Sequence, residues 1–129
     1  MEAVLYLALT IVSSNLIFAQ DYTVPEPTIE VFTPKGFQIS IPHEEGINLF
    51  AFHGNINVPM EGLDAGQFSR DILKRRGDRW VFEDKRSKLK KGDVIYYWLF
   101  VIKDSLGYRY DDGVFIVEGN LINNCLSFI

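Results

Sequence analysis

Val94 to Lys103 reads VIYYWLFVIK, then comes Asp104-Ser105-Leu106-Gly107, and Tyr108-Arg109-Tyr110-Asp111-Asp112 follows. A continuous run of β-branched and aromatic residues, a polar turn and a second alternating stretch predict a long central strand that returns as a hairpin. Side chains alternate faces along a strand, so Val94, Tyr96, Trp98, Phe100 and Ile102 share one face, and Ile95, Tyr97, Leu99 and Val101 share the other. One face is mostly aromatic and the other mostly aliphatic. A four-residue turn at 104–107 pairs Lys103 with Tyr108, sets Ile102 against Arg109 and Phe100 against Asp111, and brings Arg109 and Asp111 to the Trp98 face.

Working outward, TIEVFT (28–33) and FQISI (37–41) alternate around Pro34-Lys35-Gly36, and INLFAFHGNI (47–56) reads as another central strand. RWVFED (79–84) places Trp80 and Phe82 on one side, a spacing that suits the core. QFSRDIL (67–73) is too short to assign, and 59–67 reads as an exposed loop. About seven strands, turns every eight to twelve residues and almost no helix predict an all-β fold, a β-sandwich of immunoglobulin or fibronectin type.

The chain of 129 residues has the size of one domain. Ala3 to Ala19 is apolar, uncharged and ends in Phe18-Ala19-Gln20, so residues 1–19 read as a secretory signal peptide, and secretion to the extracellular space follows. Ser13, Ser14 and Asn15 interrupt that run, which argues against a membrane anchor, and no other stretch is expected to span a bilayer. The expected layout is a signal peptide (1–19), an extended segment (20–27), the sandwich (28–119) and a tail (120–129). The single cysteine, Cys125, excludes a disulfide scaffold, so packing must hold the fold. A formal charge of −4 gives no global attraction to nucleic acid.

A face that joins a Trp with a guanidinium and a carboxylate suits a sugar, because the indole takes the C–H face of the ring and the charges take its hydroxyl rim. Covering about 50 Å² of apolar sugar face is worth on the order of 1 kcal/mol. Millimolar affinity already requires about 4 kcal/mol, so the ligand should be a polymer or several chains in register. The competing reading of Trp98 is a core residue, since sandwich domains often bury a Trp in a central strand.

The stretches LKKGDVIYYWLFVIKDSLGYRYDDGVF, PKGFQISIP, LFAFHGNIN, MEGLDAGQFSRDI and RWVFEDK occur in an order that resembles the N-terminal domain of insect β-1,3-glucan recognition proteins, also called Gram-negative bacteria-binding proteins, of carbohydrate-binding module family 39. The likeness covers about residues 22–118. It implies an immunoglobulin-like sandwich that binds fungal β-1,3-glucan, as ordered multi-chain polymer, for innate-immune pattern recognition. It also implies that Asp71 in FSRDI, Trp98 in IYYWLF and Arg109 in LGYR contact the glucan, and it moves Trp98 from core to platform. Gln67, Tyr96 and Phe100 are secondary candidates from the same neighbourhood, with Asp111 from the hairpin face. Family members continue into a glucanase-like domain, and signalling that depends on such a domain is not expected of these residues alone.

No paired carboxylates in a hydrolase pattern appear, so no catalysis is expected. His43 and His53 are the only histidines and no ligand spacing accompanies them, so neither metal nor cofactor is called for. The alternative is an immunoglobulin-like adhesion or signalling module that binds protein, with Arg76-Gly77-Asp78 as an exposed turn. Lys74, Arg75 and Arg76, with Lys85 to Lys91, read as a solvated basic edge. Such an edge facing an acidic patch on a second copy would let copies self-associate along one polymer.

Overall fold

The structure, a computed structural model, describes residues 22–119 and 121–123. The signal-peptide stretch and Cys125 lie outside the described residues. Eight strands run in the order β1 (Thr28–Thr33), β2 (Phe37–Pro42), β3 (Ile47–Ile56), β4 (Phe68–Ile72), β5 (Arg79–Asp84), β6 (Val94–Lys103), β7 (Leu106–Ile116) and β8 (Ile122–Asn123). They form two sheets, ordered β5-β2-β1-β8 and β4-β3-β6-β7. Placing β2 and β5 in one sheet, and β3 and β6 in the other, makes the chain cross between layers as immunoglobulin-type sandwiches do.

Alternation decides which side chains fill the space between the sheets. Ile95, Tyr97, Leu99 and Val101 of β6 are buried, whereas their even-numbered neighbours are half-buried on the outer face. The opposing sheet supplies Phe37, Ile39 and Ile41 from β2 and Trp80 and Phe82 from β5. Phe52 of β3 meets Phe82 at 4.5 Å between ring centroids. Each large side chain buried here contributes about 1.5–3 kcal/mol. Trp80 is 3% exposed and donates its indole N–H to His43 Nδ1 at 3.0 Å, so this Trp belongs to the core.

The hairpin differs from the expected register. Lys103 pairs with Leu106 and Phe100 with Arg109, so the turn is the pair Asp104-Ser105, both with positive φ (52° and 68°). These dihedral signs define a two-residue turn whose twist matches that of the strands it joins. Gly107, which reads as a turn glycine, lies within β7 opposite Ile102. A side chain there would meet the ring of Phe100 at 2.7 Å, so the glycine leaves room for that ring. The shift is by two residues, which preserves side-chain parity, and Arg109 stays on the Trp98 face.

The sandwich also extends beyond 28–119. Val24 is 4% exposed in the core cluster, Tyr22 packs edge-on against Tyr108 at 5.4 Å, and β8 pairs in parallel with Phe32 and Thr33 of β1. A two-residue strand and one buried valine in a proline-rich segment carry no periodic pattern, so neither is legible in the sequence. Within QFSRDIL, Phe68–Ile72 forms β4, an edge strand too short for its alternation alone to identify it.

Candidate carbohydrate-binding face

The outer face of the β4-β3-β6-β7 sheet is built in rows that follow from strand pairing. One row runs Asp71, Ala51, Phe100, Arg109, and the next runs Ser69, His53, Trp98. The second row ends at an irregularity in β7. Tyr97 pairs with Gly113 and Leu99 with Tyr110, so Asp111 and Asp112 together oppose Trp98. Asp112 has φ 56°, and this bulge brings both carboxylates to the same rim where a regular strand would send them to opposite faces.

Trp98 is held on two sides. The His53 ring stacks on the indole with centroids 4.2 Å apart and 12° between planes. The Trp98 indole N–H donates to the Asp64 carbonyl at 2.8 Å, which ties the ring to the loop between β3 and β4. His53 Nδ1 in turn lies 3.0 Å from Ser69 Oγ and 3.1 Å from the Ala65 carbonyl. The loop is closed at its base, where Gln67 N–H donates to Asn55 Oδ1 (2.7 Å) and Ile56 N–H donates to Gln67 Oε1 (2.9 Å). Gly66, with φ 84°, lets the loop backbone lie against Gly54, since a Cβ there would meet the Gly54 carbonyl at 2.6 Å.

Beside Trp98 opens a cleft of about 340 Å³, lined by Tyr96, Arg109, Asp111 and Asp112 on the sheet and by Met60 and Leu63 on the loop. This size is at the low end for small-ligand clefts. Arg109 Nε lies 3.5 Å from Asp111 Oδ1, with both side chains about half exposed (48% and 47%). An exposed pair of this kind adds only about 0–1 kcal/mol to stability, so its consequence is orientation of donors and acceptors at the cleft.

Of the residues singled out in the sequence, Trp98, Tyr96, Arg109 and Asp111 converge on this cleft. Asp71 points to the same outer face but stands on the far edge strand, three strand spacings from Arg109. Phe100 lies between them and covers Gly107. Gln67 spends its side-chain carbonyl on the Ile56 amide and acts in the loop closure. No local sequence pattern marks His53, Asp112, Met60 and Leu63 as parts of this site. Only the cross-strand partner of Trp98 distinguishes His53 from any other strand histidine, and only the bulge and the loop closure bring the other three into place. At the β4-β5 turn, Arg76 pairs with Glu83 at 3.2 Å, so the guanidinium of Arg76-Gly77-Asp78 folds back on β5.

A two-layer β-sandwich with an aromatic and charged outer sheet face has the build of a carbohydrate-binding domain. Residues 23–127 match the family CBM39, described as a carbohydrate binding domain (family 32), and the chain belongs to that family. It is 56% identical over 109 residues to Gram-negative bacteria-binding protein 3 of Drosophila melanogaster, covering 84% of this chain and 22% of that protein. It is 54% identical over 98 residues to β-1,3-glucan-binding protein 1 of Galleria mellonella, covering 76% of this chain and 20% of that protein. It is 50% identical over 101 residues to the β-1,3-glucan-binding protein of Tenebrio molitor, covering 75% of this chain and 21% of that protein. The chain thus spans about a fifth of the length of these relatives. Among solved structures, the crystal structure of a Br derivative of BhCBM56 shares the fold at a TM-score of 0.56 and 16% identity, over 76% of this chain and 97% of that one.

Proposed function

We propose that the outer face of the β4-β3-β6-β7 sheet binds β-1,3-glucan without catalysis, as the recognition surface of a secreted innate-immune pattern-recognition protein. The observation that carries this reading is Trp98, half-buried outside the core and held by His53 and the Asp64 carbonyl, with the Arg109–Asp111 pair beside it. The indole takes a pyranose face. Arg109 donates to hydroxyl oxygens and Asp111 accepts from hydroxyl groups. Asp71, about 14 Å from Arg109 across three strand spacings, takes the hydroxyls of a neighbouring chain, which fits an ordered multi-chain polymer. The names of the Galleria and Tenebrio relatives support the choice of glucan.

Hydrolysis needs two carboxyl groups about 5–9.5 Å apart around one bond. Asp71 stands at the opposite edge of the sheet from Asp111, and Asp111 and Asp112, neighbours on one bulge, share one side of the cleft with Asp111 engaged by Arg109, so the face is suited to holding a polymer. Copies seated on one polymer are proposed to self-associate, the basic edge of one against an acidic patch of the next.

The test is retention on insoluble β-1,3-glucan, wild type beside Trp98→Ala, with cellulose and chitin as controls and circular dichroism for folding. Selective retention of wild type and its loss in a folded mutant is the expected result. Absence of retention by folded wild type would remove the glucan reading.

A further inference from the structure

A second groove, of about 730 Å³, lies at the sandwich edge where β4 and β5 belong to different sheets. It is lined by Arg70, Lys74, Arg75, Arg76, Lys85 and Arg86, six of the 13 Lys and Arg residues of a chain whose formal charge is −4. Its two acids, Glu83 and Asp84, are already engaged. Glu83 accepts from Gln38 (3.1 Å) and Arg76 (3.2 Å), and Asp84 Oδ2 accepts from the backbone N–H groups of Arg86 (3.3 Å) and Ser87 (2.8 Å). Arg76 is the one cation of the groove with a carboxylate partner among the described residues.

Two of these cations converge on one residue. Arg70 reaches over the Phe82 ring at 5.2 Å and donates to the Glu83 carbonyl, and Arg76 pairs with the carboxylate of the same residue. Lys74, Arg75 and Arg76 lie toward the β4-β5 turn. The chain turns back after β4, with Arg76 bridged to Arg79, so the charge is gathered in a compact patch. Gathering like charges in this way costs free energy in the unliganded chain, and the cost is offset when anions sit between them. Among the described residues no aromatic side chain lines the groove, so bases have no stacking platform there and a single-stranded nucleic acid is disfavoured.

We infer that the β4-β5 edge groove is a second binding site, for a polyanion bearing sulfate or phosphate groups. Strand β4 then serves two surfaces, with Asp71 on the glucan face and Arg70 and Ile72 turned to the groove. The guanidinium forks suit tetrahedral oxyanions, which accept two parallel N–H bonds.

The experiment titrates the chain, without glucan, with dextran sulfate, neutral dextran and inorganic polyphosphate at about 50 and about 200 mM salt. Binding of one or both polyanions but not of neutral dextran is expected, and the two polyanion arms separate sulfate from phosphate preference. Affinity should fall roughly tenfold or more between the two salt concentrations. Two double substitutions of equal charge change decide the location. Lys85→Glu/Arg86→Glu should weaken binding about tenfold or more, while Lys88→Glu/Lys91→Glu, outside the groove, should change it by no more than about twofold. Absence of binding to both polyanions at the lower salt, or equal weakening by the two doubles, would overturn the site. Trp98→Ala should leave polyanion binding unchanged, and its loss there would place the ligand on the glucan face.

Discussion

His53 and Trp98 face each other across β3 and β6 with their rings stacked, 4.2 Å apart, and the same histidine contacts Ser69 and the Ala65 carbonyl. The stack covers one face of the indole and links its orientation to the β3-β4 loop. His53→Ala should therefore weaken glucan retention about fivefold, equivalent to about 1 kcal/mol, while the fold persists. His53→Phe keeps a stacking ring and should stay within about twofold of wild type. Equal losses in the two variants, measured by depletion binding on insoluble glucan, would show that ring stacking is not what positions Trp98.

The two tryptophans should separate in stability. Trp80 is a core residue with a satisfied indole N–H, and Trp80→Ala should cost about 3–5 kcal/mol. Trp98 is outside the core and half-buried, so Trp98→Ala should cost roughly 1–2 kcal/mol, mainly the stack and one hydrogen bond. Urea denaturation checks the order, and a Trp98→Ala cost equal to that of Trp80→Ala would return Trp98 to a structural role.

The β6-β7 turn holds two non-glycine residues at positive φ, where L side chains are strained by about 1–2 kcal/mol each. Ser105→Gly should raise stability by about 0.5–1 kcal/mol, since the relief exceeds the extra chain entropy of glycine. Gly107→Val should act in the opposite direction, because its Cβ would meet the Phe100 ring. Thermal unfolding would reveal both signs, and unchanged glucan retention in Ser105→Gly would show that the turn acts on stability alone.

Asp93 is 6% exposed and caps the entry to β6. Lys90 donates to it through its backbone N–H (2.9 Å) and its ammonium (3.0 Å), and Asn57 through its side-chain amide (3.2 Å). The Lys90 backbone hydrogen bond, helped by Asn57 and the Lys90 charge and opposed by burial, lowers the carboxyl below its ordinary pKa. A lowered folded-state pKa means that the stabilisation is complete above the unfolded value, about 3.9, and is lost as pH falls through the folded one. Asp93→Asn should cost about 1–3 kcal/mol at neutral pH. That gap should narrow below about pH 4, and a gap independent of pH in chemical denaturation would mean that the carboxylate charge contributes nothing.

Much of the fold was legible because it is written in local alternation. VIYYWLFVIK separates its aliphatic and aromatic faces by the geometry of any strand, and the structure turns the aliphatic one inward, burying Ile95, Tyr97, Leu99 and Val101. Parity likewise carries Arg109 to the Trp98 face in both the expected register and the observed one, which differ by two residues. The parts that escaped depend on which strands neighbour each other. No local pattern reports that His53 lies opposite Trp98, that β7 bulges to bring Asp111 and Asp112 to one rim, or that Gly107 makes room for a ring. The clustering of Arg70 and Arg76 with Lys85 and Arg86 arises only when β4 and β5 meet across the edge of the two sheets. By itself the sequence determined the longer strands, the two faces of the central hairpin and, through its motifs, the family, because periodicity and residue type act within a few residues. Tertiary structure alone decided the aromatic stack, the cleft and the basic groove, because each is a contact between strands whose pairing is set by the packing of the whole sandwich.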